Sequence, residues 1–361
     1  MPYQPRWALE GLATLAAALG TFGRSYRRFD WTTGEDERHV ARTDDGWDLG
    51  LYRYLARNEG GPAKPFPVVM SHGMAGSRLI FDLHPDYSLA RFLAARGFDV
   101  YLVDLRGRNA SWPGGRPDPA KQWSFDDFVE RDLPSAVARA CELAQAPQAF
   151  WLGMEMSGQA IYAAAIRGTA ALVRGAITCG SPVLTPASAQ VPGITAPPRA
   201  RRHGRVPFGA GSRLAGPVLA YGRVPVLDSS FRAPNFDPIA VARYFRNGVP
   251  DEAENLVEQF AEWIRTGTMK SRDGTIVYSD RMSEVRLPLL VMTASRDLQR
   301  PPDATRAAFE SFGSTDKTFV RAGTADGFSF DYGHDDLLAG LAAPREIFPR
   351  IASWLEERSA G

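Results

Sequence analysis

The sequence predicts an α/β fold in which a mostly parallel central sheet is flanked by helices. Apolar runs of strand length alternate along the chain with segments of helical periodicity, and this alternation is typical of such a sheet. The chain has 361 residues, 44% of them hydrophobic, which is enough for one large core with an insertion. Its 42 Lys and Arg against 41 Asp and Glu give a formal net charge of +1. We therefore expect no nucleic-acid partner.

The predicted elements follow one another in a regular order. The predicted strands are Val68–Ser71, Val100–Val103, Phe150–Leu152, Ala176–Cys179, Leu289–Ala294 and Thr318–Arg321. The predicted helices are Ser88–Arg96, Phe125–Ala144, Gly158–Ile166 and Arg345–Glu357. Strands separated by helices in this way pair in parallel and have helices on both faces of the sheet.

The alternation stops between Pro182 and Arg286, and we interpret residues 183–285 as an inserted lid or cap. Apolar residues at helical spacing within this insertion predict a helix that packs on the main domain; they are Leu256, Val257, Phe260 and Ile264. The basic run from Arg199 to Arg205 predicts a solvated loop, with an anion-binding or phospholipid-binding surface as the alternative. The predicted core is 39–182 and 286–361.

Residues 1–38 are predicted to be a helical N-terminal extension. The stretch from Trp7 to Phe22 is rich in Ala and Leu, but Glu10 interrupts it and it is too short to cross a bilayer. We expect a helix packed on the body, with contact to a membrane surface as the alternative. Cys141 and Cys179 form no metal or disulfide pattern, which favours buried thiols and a cytoplasmic location.

The segment from Phe150 to Gly158 has the pattern of a nucleophile elbow, a sharp turn between a strand and a helix. Such a turn needs small residues two positions before and after the residue that it presents. Gly153 and Ser157 occupy these positions, so the presented residue is Glu155. Ser157 is the alternative nucleophile, but it lies inside the first helical turn.

With four further motifs in the same order, the elbow resembles the α/β hydrolases, and more narrowly the acid lipase branch that includes gastric and lysosomal lipases. In that family the elbow residue is serine, so Glu155 departs from the pattern at its most important position. The resemblance implies the α/β-hydrolase fold. The further motifs are Ser71-His72-Gly73-Met74, Ser88-Leu89-Ala90 to Gly97-Phe98-Asp99-Val100, Ser124-Phe125-Asp126-Asp127 to Asp132-Leu133-Pro134, and Tyr332-Gly333-His334-Asp335-Asp336-Leu337-Leu338.

The resemblance and the chain order also assign the partners of Glu155. Asp297, just after a late strand, would be the acid, and His334, in a loop before the last helix, would be the histidine. The backbone N–H groups of Met74 and Met156 would form the oxyanion hole. Other residues are expected to have lesser roles: Asp303 is the reserve acid, His72 braces a loop, and Asp104-Leu105-Arg106-Gly107 supports a loop.

A glutamate is already an anion near neutral pH and needs no base to become a nucleophile. Attack by Glu155 on a saturated carbon of an epoxide or strained lactone would give an alkyl ester, which water activated by His334 could hydrolyse. Alternatively, Glu155 and His334 act as a base without a covalent intermediate, in hydrolysis, cyclisation or elimination. A third alternative is a catalytically silent protein that binds an apolar ligand.

The expected substrate is an apolar small molecule, because a lid and lipase-like motifs surround Glu155 and methionines flank it on both sides. The sequence contains no glycine-rich dinucleotide motif, phosphate-binding loop or histidine-rich metal pattern. We therefore expect neither a cofactor nor a metal ion.

Overall fold

The computed structural model of the protein describes residues 29–57, 63–186, 204–213, 230–232 and 234–359. The predicted N-terminal helix and Arg199 to His203 of the basic run lie outside these ranges. Within the described residues, no helix is long and apolar enough to cross a membrane.

The described residues form an eight-stranded sheet and a separate two-stranded one. The strands are β1 (Glu37–Arg42), β2 (Asp48–Tyr54), β3 (Val68–Ser71), β4 (Val100–Asp104), β5 (Ala149–Met154), β6 (Val173–Cys179), β7 (Arg205–Val206), β8 (Glu252–Ala253), β9 (Leu289–Ala294) and β10 (Lys317–Ala322). The order in the large sheet is β1-β2-β4-β3-β5-β6-β9-β10. Within this large sheet only β1 with β2 and β2 with β4 pair antiparallel, so the fold class predicted from the sequence is confirmed.

Helices connect the parallel strands and cover both faces of the sheet. They are α1 (Leu89–Ala95), α2 (Phe125–Asp127), α3 (Leu133–Ala144), α4 (Met156–Arg167), α5 (Pro238–Asn247), α6 (Glu254–Thr266), α7 (Pro302–Ser311), α8 (Asp336–Ala339), α9 (Ala343–Glu346) and α10 (Phe348–Ser359). A π-helical turn, Phe128–Asp132, joins α2 to α3. Neighbouring strand residues such as Phe150 and Trp151 belong to different buried clusters, because successive side chains of a strand point to opposite faces.

Within the described residues, every predicted strand and helix of the core is present, with ends that differ by a few residues and with the π-helical turn inside the predicted helix Phe125–Ala144. The predicted helix before the C-terminus is broken at Ile347. Strands β1 and β2 were not predicted from the sequence, and β1 begins at Glu37, inside the predicted N-terminal extension. β1 is an edge strand whose residues are mostly partly or fully exposed, so it lacks the apolar run by which the inner strands were found.

Between β6 and β9, the described residues form β7, β8, α5 and α6, outside the large sheet. The predicted amphipathic helix is α6, and its Phe260 and Trp263 pack against Phe125. The solvated-loop interpretation is wrong for Arg205, which is buried with its guanidinium 4.1 Å from the ring centroid of Trp123. An arginine can stack on an aromatic ring and leave the solvent in this way.

Candidate active site

Glu155 is presented by a strained turn between β5 and α4. Its backbone has φ 49° and ψ −110°, which non-glycine residues rarely adopt. A Cβ at Gly153 would lie 2.5 Å from the backbone nitrogen of Gly158, so a side chain does not fit there. The elbow pattern calls for a small residue two positions before Glu155. The close packing of the turn around Gly153 is the reason for it.

Ser157, the alternative nucleophile, is fully buried in the same turn. Its hydroxyl donates to the carbonyl oxygen of His72 at 2.5 Å and lies 2.7 Å from the hydroxyl of Ser71. Its side chain thus connects α4 to the end of β3. These buried hydrogen bonds are a sufficient reason for a serine at position 157, and no catalytic role is needed to account for it.

His334 and Asp297 form the second half of the site. The Nδ1 atom of His334 lies 2.5 Å from Oδ2 of Asp297. The other carboxylate oxygen, Oδ1, accepts the backbone N–H groups of Gln299 at 3.0 Å and Arg300 at 2.6 Å. These bonds fix the carboxylate, and the carboxylate in turn orients the imidazole ring. The reserve acid Asp303 is exposed at the start of α7.

Charges around His334 favour its protonated form. Burial is the largest single influence and opposes a charge on the ring, but the carboxylates around the ring, chiefly Asp297, together outweigh it and raise the pKa of His334. Asp335 also raises the pKa of His334. Burial raises the pKa of Asp335 itself to about 6. His334 is thus a stronger base than an exposed histidine.

One of the two predicted oxyanion-hole donors contacts Glu155. The backbone N–H of Met74 donates to Oε2 of Glu155, with 2.6 Å between the heavy atoms. A Cβ at Gly73 would lie 2.5 Å from the same oxygen, so a side chain at this position would displace the carboxylate of Glu155. Among the described residues, no hydrogen bond joins the N–H of Met156 to the Glu155 carboxylate.

Arg300 was not predicted from the sequence as a residue of the site. Its Nη2 atom forms an ion pair with Oε1 of Glu155, and the guanidinium is buried behind the elbow. Burial lowers the pKa of Arg300 to about 9, which leaves it protonated at neutral pH. A buried carboxylate needs a counter-charge, which indicates that a cation lies near Glu155 but does not single out Arg300.

His72 and the Asp104 segment have the supporting roles expected of them. The Nδ1 atom of His72 lies 2.8 Å from the carbonyl oxygen of Gly73, and its Nε2 accepts the N–H of Leu105 at 3.2 Å. Burial lowers the pKa of His72 to about 4, so the ring is neutral. Asp104 and Arg106 form buried ion pairs with other loops.

Glu155 and His334 line the same cavity, whose volume is about 170 Å³. Its apolar wall includes Ile80, Met154 and Phe245, and Tyr244 also lines it. Tyr244 and Phe245 belong to α5, so the segment between β6 and β9 contributes to the cavity through this helix. The described residues contain no group of three or more His, Cys, Asp or Glu side chains placed to hold a metal ion.

Residues 66–324 match the family described as serine aminopeptidase, S33. The chain is 26% identical to the poly(3-hydroxyalkanoate) polymerase subunit PhaC of Allochromatium vinosum over 348 residues, 90% of each protein. It is 30% identical to the gastric triacylglycerol lipase of Homo sapiens over 157 residues, 36% of this chain and 38% of the lipase.

Among solved structures, a soluble variant of monoglyceride lipase from Saccharomyces cerevisiae superposes with a TM-score of 0.57 at 16% identity. The superposition covers 92% of this chain and 97% of the lipase. A putative aryl esterase from Burkholderia cenocepacia gives the same TM-score at 15% identity and covers 90% of this chain and 100% of the esterase. The family match reaches from β3 to β10 and includes the elbow. The chain belongs to the serine aminopeptidase S33 family and is an enzyme with the α/β-hydrolase fold.

Proposed function

We propose that the protein hydrolyses an apolar ester, lactone or epoxide with Glu155, His334 and Asp297, and that Glu155 is the nucleophile. The observation that supports this most strongly is the environment of the Glu155 carboxylate. Arg300 pairs with one oxygen and the N–H of Met74 donates to the other. Both contacts favour the ionised form, so the nucleophile is present without a proton transfer.

In the first step Oε1 of Glu155 attacks a saturated carbon of an epoxide or strained lactone. A new C–O bond forms, the strained C–O bond breaks, and an alkyl ester of Glu155 results. The hydroxyl of Tyr244 donates its proton when the leaving oxygen is an alkoxide. Tyr244 lines the cavity, and the described residues offer its hydroxyl no hydrogen-bond acceptor. Burial raises the pKa of Tyr244, so its hydroxyl carries its proton at neutral pH.

In the second step His334 removes a proton from water, and the hydroxide attacks the carbonyl carbon of the glutamyl ester. The negative charge then develops on Oε2. This oxygen already accepts the N–H of Met74, so the donor is in place before the charge forms. Collapse of the intermediate releases the product alcohol and restores the carboxylate. The proton on His334 returns to the tyrosinate or to the departing alkoxide.

The same contacts disfavour Glu155 as a general base. A proton taken up by Glu155 would lie on an oxygen that already faces either the Arg300 guanidinium or the N–H of Met74. Direct hydrolysis of an ester would also require a free oxyanion hole for the substrate carbonyl. The N–H of Met74 already donates to Oε2 of Glu155, so a substrate oxygen would have to displace the carboxylate from this donor.

One observation favours a second candidate, a catalytically silent protein that binds an apolar ligand. Both oxygens of Glu155 have partners inside the protein, and a carboxylate of this kind can serve packing alone. The contact between His334 and Asp297 argues for catalysis, because a binding site does not require an oriented imidazole.

The substrate class rests on the cavity and on the relatives. The wall formed by Ile80, Met154 and Phe245 is apolar, which favours a hydrophobic ligand. Relatives named as triacylglycerol lipase and poly(3-hydroxyalkanoate) polymerase support an apolar substrate with an ester-type bond. We therefore propose a lipid-like molecule whose reactive C–O bond enters this cavity.

The test is turnover of a panel of epoxides, lactones and esters of varied chain length, followed by mass spectrometry of product and intact protein. We expect the wild type to turn over an epoxide or lactone and Glu155→Gln to be inactive. His334→Ala should accumulate an adduct of the mass of the substrate, because the ester forms but is not hydrolysed. Turnover without any adduct would favour base catalysis, and an inert wild type would favour the binding role.

A further inference from the structure

Glu252 lies on β8, in the segment between β6 and β9, and its side chain is fully buried. Its Oε1 atom accepts the backbone N–H of Ala75 at 2.8 Å. The same oxygen forms an ion pair with Nη2 of Arg108, which is also fully buried. One carboxylate oxygen therefore joins the insertion, the loop after β3 and the loop after β4.

The loop that Glu252 holds is the loop that carries the oxyanion donor. Ala75 follows Met74 and has a positive φ of 50°, which costs free energy for any residue with a Cβ. Such a conformation persists only where its surroundings impose it. The hydrogen bond from the N–H of Ala75 to Glu252 fixes the peptide unit between Met74 and Ala75, next to the one whose N–H contacts Glu155.

The ion pair itself is poorly satisfied. Burial raises the pKa of Glu252, while Arg108 opposes this rise. Oε2 of Glu252 and Nε of Arg108 are buried and find no hydrogen-bond partner among the residues that the structure describes. A buried ion pair with unmet hydrogen bonds contributes little net stability compared with apolar side chains of similar size. The ion pair contacts the loop that carries Met74, and this contact suggests a role for the pair other than stability.

We propose that Glu252 is a positioning residue, which holds the 73–76 loop so that the N–H of Met74 points at the carboxylate of Glu155. The insertion then contributes to the reaction through this contact as well as through the cavity wall. Docking of β8 against the core becomes a condition for a complete oxyanion hole. The catalytic consequence rests on the proposed function, whereas the structural consequence does not.

Two double variants test the proposal. Arg108→Met with Glu252→Gln removes both charges and keeps an oxygen that can accept the N–H of Ala75. Arg108→Met with Glu252→Leu removes the charges and the acceptor. Hydrogen exchange of the peptide covering 72–78 should be clearly faster in the Leu variant than in the Gln variant. The kcat of the Leu variant should be about tenfold to 100-fold below that of the Gln variant, with KM within about twofold.

The readouts separate the two proposals. Equal exchange and equal kcat in the two double variants would overturn the positioning role. Faster exchange in the Leu variant, combined with a wild type that turns over no member of the panel, would support the positioning role and contradict the proposed function. If the Leu variant fails to fold, Glu252→Asp replaces it. This variant keeps the charge but withdraws the carboxylate by about 1.5 Å, and the same faster exchange and lower kcat, now relative to wild type, are expected.

Discussion

Two buried glutamate–arginine pairs differ in what surrounds them. Glu155 and Arg300 are 145 residues apart in sequence, and the carboxylate of Glu155 lines a cavity. Glu252 and Arg108 are 144 residues apart, and both side chains are fully enclosed. In our proposals, the same chemical pair serves the reaction where a cavity reaches it and fixes a loop where both side chains are enclosed.

The accessibility of the two carboxylates leads to different expectations for their variants. Loss of Glu155 removes the nucleophile and should affect kcat directly. Loss of Glu252 changes only the orientation of a donor, so its effect on kcat should be smaller. The comparison fails if the variants of Glu252 are as inactive as those of Glu155 while they remain folded.

The largest effect is expected for Glu155→Gln, which should lower kcat/KM by about 10⁴-fold, because an amide cannot form the ester intermediate. Steady-state kinetics on the best substrate of the panel measures this loss. Ser157→Ala is the matched control in the same turn and should retain kcat/KM within about threefold. An inactive, folded Ser157→Ala would contradict the assignment of Glu155.

Arg300→Met should lower the free energy of unfolding by about 3–5 kcal/mol, because it leaves the buried carboxylate of Glu155 without its counter-charge. Urea unfolding at neutral pH measures the change. The double variant with Glu155→Gln should recover most of the lost stability and no activity. Additive losses in the double variant would show that the two side chains do not interact.

The pH dependence of turnover should be governed by His334, which must be neutral to accept a proton from water. Because Asp297 raises the pKa of His334, the rate should fall on the acid side at a pH above the ordinary histidine value of about 6.5. Asp297→Asn removes the raising charge and should move this fall to lower pH by about one unit or more. Rate profiles of the two proteins at matched ionic strength test this. An unchanged profile would contradict the role of Asp297.

Asp335→Asn should give the smallest effect. The fall of the turnover rate on the acid side of the pH profile should move to lower pH by a few tenths of a unit. Asp335 raises the pKa of His334 less than Asp297 does, and it has no hydrogen bond to the ring. The same rate profiles measure the shift. A larger shift than in Asp297→Asn would mean that the wrong carboxylate has been assigned to the histidine.

The inner strands and most of their helices could be predicted because their signals are local. A few neighbouring residues suffice to specify the apolar run of β5. They also specify the close backbone packing at Gly153. The elbow identified Glu155 for the same reason. The edge strand β1 was missed because half-exposed strands carry charged residues that hide the apolar pattern.

The partners of the two glutamates could not be predicted from local signals. Arg300 is one of 42 Lys and Arg residues, and only the tertiary structure brings it to Glu155. In the turn that follows Asp297, the backbone N–H of Arg300 donates to the Asp297 carboxylate. This hydrogen bond fixes the position of the Arg300 backbone, from which its side chain extends to Glu155. Arg205 was misinterpreted for a related reason, since the sequence does not show that Trp123 lies beneath it.

The most direct test of Glu155 as a nucleophile is turnover in ¹⁸O-labelled water, followed by mass spectrometry of the peptide that contains Glu155. Hydroxide attacks the glutamyl carbonyl in the proposed mechanism, so one labelled oxygen should enter the carboxylate of Glu155. The first product molecule should carry an unlabelled oxygen from the enzyme. A labelled product together with an unlabelled Glu155 after many turnovers would contradict the covalent mechanism.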